Sequence, residues 1–427
     1  HRMPIGVLFG SKDYRPWLAE RQGDINWYYW DRYEKHLLTA KGFPPDIVRR
    51  IGEITDKILD RLEDPSKVGI WARRGMVVGH VQSGKTANYA GVICKAADAG
   101  YQVIIVLAGL LNSLRNQTQE RLDSDFMGYC TRLKDYVGAS RFDRSRRPIH
   151  FTTSDEDFKK RSANTFGMEL DALNEPVLFV IKKNKSTLEN LYKWLLENNR
   201  YNLRSKSMLL IDDEADHASI NTNRDDKSPT TINLAIRNLL SVFDKSSFVG
   251  YTATPFANIF IDPDSEDEMK NGELYKDLFP RDFILSLDPP DNYVGPQNIF
   301  MSEGGLDCIR EINDNDEIFP IGHRIDFTPD VLPVSLIRAI GCFFIAKAIR
   351  LIRGQQRKHY SMMVNASRFT RVQEVLKGLV IEHVMALRSS VLNYASLPPA
   401  EAIGNADIRS LHVIWQDEFS RAGCSWE

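Results

Sequence analysis

The sequence predicts an α/β fold: a parallel sheet with helices on both faces, preceded by a helical N-terminal region. Two patterns carry this reading. From residue 75 onward, short apolar runs alternate with helical stretches, as strands buried on both faces and joined by crossover helices do. Before residue 70, Ile47, Ile51, Ile54, Ile58 and Leu62 recur at helical spacing instead.

The N-terminal region also holds an aromatic cluster, Trp27, Tyr28, Tyr29, Trp30 and Tyr33, followed by Leu37 and Leu38. Its periodicity favours a helix packed on the next domain over the alternative, a surface for stacking bases. The strand-like runs are then Met76 to Val78, Val103 to Leu107, Val177 to Ile181, Met208 to Ile211 and Phe248 to Tyr251. Helical stretches such as Ala87 to Ala99 and Ser186 to Leu196 lie between them. Asp262-Pro263-Asp264, Asp288-Pro289-Pro290-Asp291 and Gly304-Gly305 punctuate residues 262 to 330, which read as an insertion or linker. A helix near 331–353 follows. Ser361-Met362-Met363-Val364 then reads as the first strand of another α/β unit.

At 427 residues the chain exceeds one ordinary domain. The expected division is a helical region at 1–70, a first α/β domain at 71–261, an insertion with its helix at 262–354, and the start of a second α/β domain at 355–427. Lys and Arg number 55 against 57 Asp and Glu, so a nucleic-acid partner would need a local basic patch. Cys94, Cys130, Cys308, Cys342 and Cys424 form no CxxC pair, which argues against a zinc ribbon or a disulfide framework. The scattered cysteines favour a reducing cytoplasm, and no signal peptide is read at the start. The most apolar stretch, Val334 to Ile352, is interrupted by Arg338, Lys347 and Arg350, so a packed helix is expected there and not a membrane span.

Gly79-His80-Val81-Gln82-Ser83-Gly84-Lys85-Thr86 matches the phosphate-loop pattern GxxxxGK[ST], after an apolar run and before a helix. Glycines let successive backbone N–H groups turn inward around phosphates, and the helix N-terminus adds partial positive charge. Lys85 would reach the β and γ phosphates of ATP, and the Thr86 hydroxyl would hold Mg²⁺.

Met208-Leu209-Leu210-Ile211 runs into Asp212-Asp213-Glu214-Ala215-Asp216-His217. A buried strand presents such carboxylates at its C-terminal end, where ligands bind in open α/β sheets. Asp213 would contact Mg²⁺ and Glu214 would orient and deprotonate the attacking water. Asp212 is open to two readings, a second metal contact or a helix cap. A charged turn would explain the string alone, but the upstream phosphate loop makes a metal site the better reading.

Thr252-Ala253-Thr254-Pro255 follows the last run, where small hydroxyls could bond the acidic motif and relay the state of the γ-phosphate. His217 has a coupling or a packing reading. Arg115 and Gln117 follow the second run, and Lys182 and Lys183 follow the third. All four sit at strand ends on the phosphate-loop edge and are candidates to hold a phosphodiester backbone, with a solvated surface as the plain alternative for the lysines.

The motif order resembles superfamily-two helicases and, more closely, the bacterial Z-one family of endonuclease-associated ATPases. The resemblance is carried by Gly79 to Asn88, by Leu210 to Asp216 and by Tyr251 to Pro255, with Asn365-Ala366-Ser367-Arg368-Phe369 resembling that family's entry into its second motor domain. It covers most of residues 20 to 380. It implies a RecA-like core and a DNA-directed ATPase of restriction or phage-defence systems, using ATP and Mg²⁺, with a nuclease, methyltransferase or further ATPase as partner. The family's second motor domain carries an arginine-bearing motif facing the ATP. No such segment is read after Ser361, so the second half is expected to be truncated and hydrolysis by this chain alone weak, with Arg368 and Arg371 the nearby substitutes. Two other functions compete. Pro263-Asp264 followed by Glu268-Met269-Lys270 superficially resembles a nuclease metal site, although the step from Asp264 to Glu268 is too short for carboxylates on paired strands. A nucleotide-gated scaffold without motor activity is the other.

Overall fold

The computed structural model describes residues 7–10, 14–79, 84–165, 174–198, 205–217, 219, 231–259, 261, 266–268, 274–287, 293–301, 308–316, 318–394 and 396–426. Contacts divide the chain into two units, His1–Gly295 and Pro296–Glu427.

The strands of the first unit are β1 (Val7–Gly10), β2 (Trp71–Gly79), β3 (Val103–Ala108), β4 (Tyr129–Cys130), β5 (Asp135–Tyr136) and β6 (Ile149–His150). There follow β7 (Val177–Ile181), β8 (Ser207–Asp213), β9 (Lys245–Thr252), β10 (Glu266–Glu268), β11 (Leu274–Lys276) and β12 (Phe283–Leu287). Eight of them form one sheet in the order β1-β12-β2-β9-β8-β3-β7-β6. All neighbours run parallel except the edge pair β1 and β12.

Alternation along the strands divides the core between the two faces. Ile104 and Val106 of β3, with Leu209 and Ile211 of β8, pack beneath the N-terminal helices and the helix Lys85–Ala99. Ile105 and Leu107, with Met208 and Leu210, pack under Leu188 and Leu191 of the helix Lys185–Asn198 and Leu239 of the helix Thr231–Ser241. The N-terminal helices Tyr28–Thr39 and Pro45–Arg61 are thus part of the first face of the core. Tyr29 and Tyr33 are fully buried and Trp30 nearly so, which removes the base-stacking alternative for these three rings.

Two expectations are corrected. Residues 262–330 are more than an insertion, because β12 extends the sheet beside β2, with Phe283 paired to Gly75. The ring of Phe283 lies where a Cβ on Gly75 would be, which is why a glycine interrupts β2. Ser361 to Val364 does not form a strand. Those residues run exposed, and the described residues of the second unit contain no strand for them to pair with.

The second unit is built from the helices Val334–Ile352, Thr370–Tyr394 and Ala406–Ile414. Ile345, Ile349, Leu387, Leu411 and Ile414 form its apolar centre. Among the described residues no helix is long and apolar enough to cross a membrane.

Candidate nucleotide site

Parallel register brings several strand ends to one edge. Val78 pairs with Thr252, Tyr251 with Asp213, and Asp213 with Ala108, so β2, β9, β8 and β3 stop together. Their loops surround a cavity of about 770 Å³ whose lining includes Lys85, Thr86, Asp213, Glu214, Asp216 and Thr254.

On the phosphate-loop side, Gly79 closes β2, and His80, Val81, Gln82 and Ser83 lie outside the described residues. Gly84 has φ +84°, a left-handed conformation that strains any L side chain, and it opens the helix Lys85–Ala99. Lys85 Nζ donates to the Gly79 carbonyl at 3.3 Å, so the side chain reaches back to the end of β2. Burial draws its pKa down, opposed by Asp213, Asp216 and Glu214. Thr86 Oγ1 accepts from Arg121 Nη1 at 2.9 Å.

The opposite wall is acidic. Asp213 accepts from Tyr89 Oη at 3.3 Å and from the Glu214 N–H at 3.1 Å. Burial first, then the neighbouring Glu214, raises its pKa, which is the setting in which a cation would be welcomed. Glu214 has φ +55°, a strained left-handed backbone for a residue with a side chain. Asp216 Oδ1 accepts from Thr252 Oγ1 at 2.7 Å and Oδ2 from Thr254 Oγ1 at 2.5 Å. Burial works to raise the Asp216 pKa, but these two hydroxyls carry it below the usual value. His217 stands between the acids, Nδ1 at 3.4 Å from Glu214 and Nε2 at 3.6 Å from Asp216.

Three of the four nucleic-acid candidates are placed elsewhere. Lys183 is wholly buried, with Nζ 2.7 Å from Asp212 Oδ1 and donating to the carbonyls of Glu214 at 2.6 Å and His217 at 3.2 Å. It holds the acidic turn from beneath and is not open to a phosphodiester. Asp212 is therefore neither a metal contact nor a cap; it is the buried partner of that ammonium. Arg115 is also buried, donating to the carbonyls of Thr153 and Ser154, both at 2.8 Å, because its helix turns it toward the core. Gln117 is exposed but lines the cavity at the strand ends. Lys182 alone stays at the surface edge, donating to Asn112 Oδ1 at 2.8 Å. In the second unit Arg368 and Arg371 are exposed, with the Arg368 guanidinium 4.9 Å from the Phe369 ring centre. Of the nuclease-like residues, Pro263, Asp264, Met269 and Lys270 lie outside the described residues, and Glu268 belongs to the β10–β11 ribbon. The sequence reading missed Arg121, Lys41 and Phe43, which all line the cavity. No local motif marks them.

A parallel sheet whose strand ends bring Lys85 and Thr86, the acidic Asp213 to Asp216 and the threonines Thr252 and Thr254 to one cavity is an α/β architecture suited to a nucleotide. The family described as "Type III restriction enzyme, res subunit" matches residues 53–257, and the Z1 domain family matches residues 335–426. The resemblance to a Z1/helicase-like NTPase is borne out, with the motif-bearing residues 79–255 inside the helicase-like match and the Z1 match C-terminal to them at 335–426. A solved structure described as "Crystal structure of Pyrococcus furiosus Hef helicase domain" is 12% identical. It covers 87% of this chain and 69% of its own at a TM-score of 0.33, a likeness too slight to carry weight. No curated protein matches the chain.

Proposed function

We propose that this chain is an ATP hydrolase whose turnover is coupled to DNA. One observation carries the reading: the cavity joins a phosphate-loop wall, Lys85 and Thr86, to a carboxylate wall, Asp213 and Glu214. Lys85 would bind the β and γ phosphates, with Gly79 to Gly84 supplying backbone donors. Glu214, about half exposed in the cavity, would orient the attacking water and accept its proton, and His217 beside it would help hold its carboxylate. Thr86 and Asp213 fit Mg²⁺, being hard oxygen donors on facing walls, with the Asp213 carboxyl ready to be relieved of its buried charge. Among the described residues no cluster of three His, Cys, Asp or Glu side chains could hold a metal. When bound, Mg²⁺ would neutralise charge developing on the phosphates. Thr252, Thr254 and His217 would couple the acidic turn to the rest of the motor.

The DNA part of the proposal is supported by the family matches and by Lys182 at the same sheet edge. A place in a bacterial restriction or phage-defence system, with a nuclease, methyltransferase or second ATPase as partner in the cytoplasm, follows from the resemblance. The test is calorimetry and turnover on two variants, with and without DNA. Lys85→Ala should lose MgATP binding, whereas Glu214→Gln should bind MgATP and not hydrolyse it. Unchanged affinity in the first, with the fold intact, or wild-type turnover in the second would overturn the reading. Turnover indifferent to DNA would remove the coupling and leave a nucleotide-gated scaffold.

A further inference from the structure

We propose that Arg121 is a positioning residue that reads the terminal phosphate of the bound nucleotide from within the same unit. The inference rests on the nucleotide reading of the cavity. Arg121 is the penultimate residue of the helix Asn112–Leu122, is exposed, and lines that cavity. Its Nη1 reaches Thr86 Oγ1 at 2.9 Å, the hydroxyl that the phosphate loop offers to Mg²⁺.

The charge around Arg121 is unbalanced. Among the described residues no carboxylate lies within ion-pair distance of it, although Asp213, Glu214 and Asp216 line the same cavity. The acid one helical turn further on, Asp125, is the natural i+4 partner, but it is already taken. Lys41 Nζ lies 2.5 Å from Asp125 and His36 Nε2 lies 3.5 Å from it. A guanidinium facing a ligand cavity with a neutral hydroxyl as its hydrogen-bond partner is prepared for an anion.

The chemistry of Thr86 then dictates what happens on binding. A metal on Thr86 Oγ1 and a guanidinium donating to the same oxygen repel each other unless negative charge lies between them. A triphosphate supplies that charge. Arg121 must leave the hydroxyl as the metal arrives, and the nearest acceptors would be phosphate oxygens, which its planar fork suits. ADP, with one phosphate fewer, would satisfy it less well. The contact with Thr86 and the proposed contact with phosphate are two positions of one side chain.

Calorimetry in the Glu214→Gln background, with Mg²⁺ and either ATP or ADP, tests this without hydrolysis. Arg121→Ala should weaken ATP at least tenfold while ADP changes less than threefold, and Arg121→Lys should recover part of the lost discrimination. An equal loss for both nucleotides, tighter binding of both, or no change in either would overturn the proposal. Failure of the Arg121-intact chain to bind either nucleotide would instead strike at the nucleotide reading itself.

Discussion

Lys183 Nζ lies 2.7 Å from Asp212 Oδ1, and neither side chain has any exposure. The same ammonium donates to the carbonyls of Glu214 and His217, so one buried cation holds both ends of the turn that carries the proposed base. Breaking such a pair from one side leaves a charge stranded in the core. Lys183→Met is expected to cost about 3–5 kcal/mol of stability in urea unfolding. Lys183→Met/Asp212→Leu should regain most of that loss, because the orphaned carboxylate is gone. The double variant should still bind ATP yet turn it over slowly, since nothing fixes the strained backbone of Glu214.

The two threonine hydroxyls on Asp216 give a second test. Hydrogen bonds to a charged acceptor contribute roughly 1.5–3 kcal/mol each. Thr252→Val with Thr254→Val should therefore let the Asp216 pKa climb and loosen the acidic turn. ATP affinity is expected to stay within about threefold and turnover to fall by roughly tenfold or more. The pH at which turnover is half lost on acidification should move upward. Unchanged turnover and pH profile would deny the pair a coupling role.

For DNA binding the expected signature is ionic. Lys182→Ala should weaken binding alike across sequences and flatten the log–log salt dependence by about one. Arg115→Ala should leave that slope alone and lower stability, because its guanidinium satisfies buried carbonyls of Thr153 and Ser154. An unchanged slope for Lys182→Ala would return it to a solvated surface.

His150, on the edge strand β6, supplies a pH dependence of stability. Burial, reinforced by Arg147, lowers its pKa from 6.5 to about 4. Between those values the unfolded chain binds a proton that the folded chain refuses, so stability is full above pH 6.5 and falls as pH drops toward 4. The loss is at most about 3 kcal/mol. His150→Gln should flatten that part of the urea-unfolding profile. An identical slope in variant and wild type would show that His150 does not carry it.

The helix that Lys85 opens after β2, the acidic strand end and the alternation of buried strands with helices were legible in the sequence because each is local. A loop that cradles phosphate needs its glycines and lysine at set spacings, and a strand buried on both faces needs an unbroken apolar run such as Met208 to Ile211. Flanking prolines and aspartates disguised β12, whose membership of the sheet depends on β2 lying beside it. Ser361 to Val364 failed the opposite way, an apolar run for which the described residues of the second unit hold no strand to pair with. Lys182 and Lys183 show the limit most clearly. They have the same chemistry and adjacent positions, so composition treats them as one basic patch. The end of β7 turns one toward solvent and the other under Glu214, and a buried ammonium is tolerable there only because Asp212 and two carbonyls surround it. The same holds for Arg115 and Arg121 on one helix, where the first points into the core and the second into the cavity. Residue type and spacing determined which chemistry this chain carries. Which cations perform it was decided only by the packing that gives each charge, or denies it, a partner.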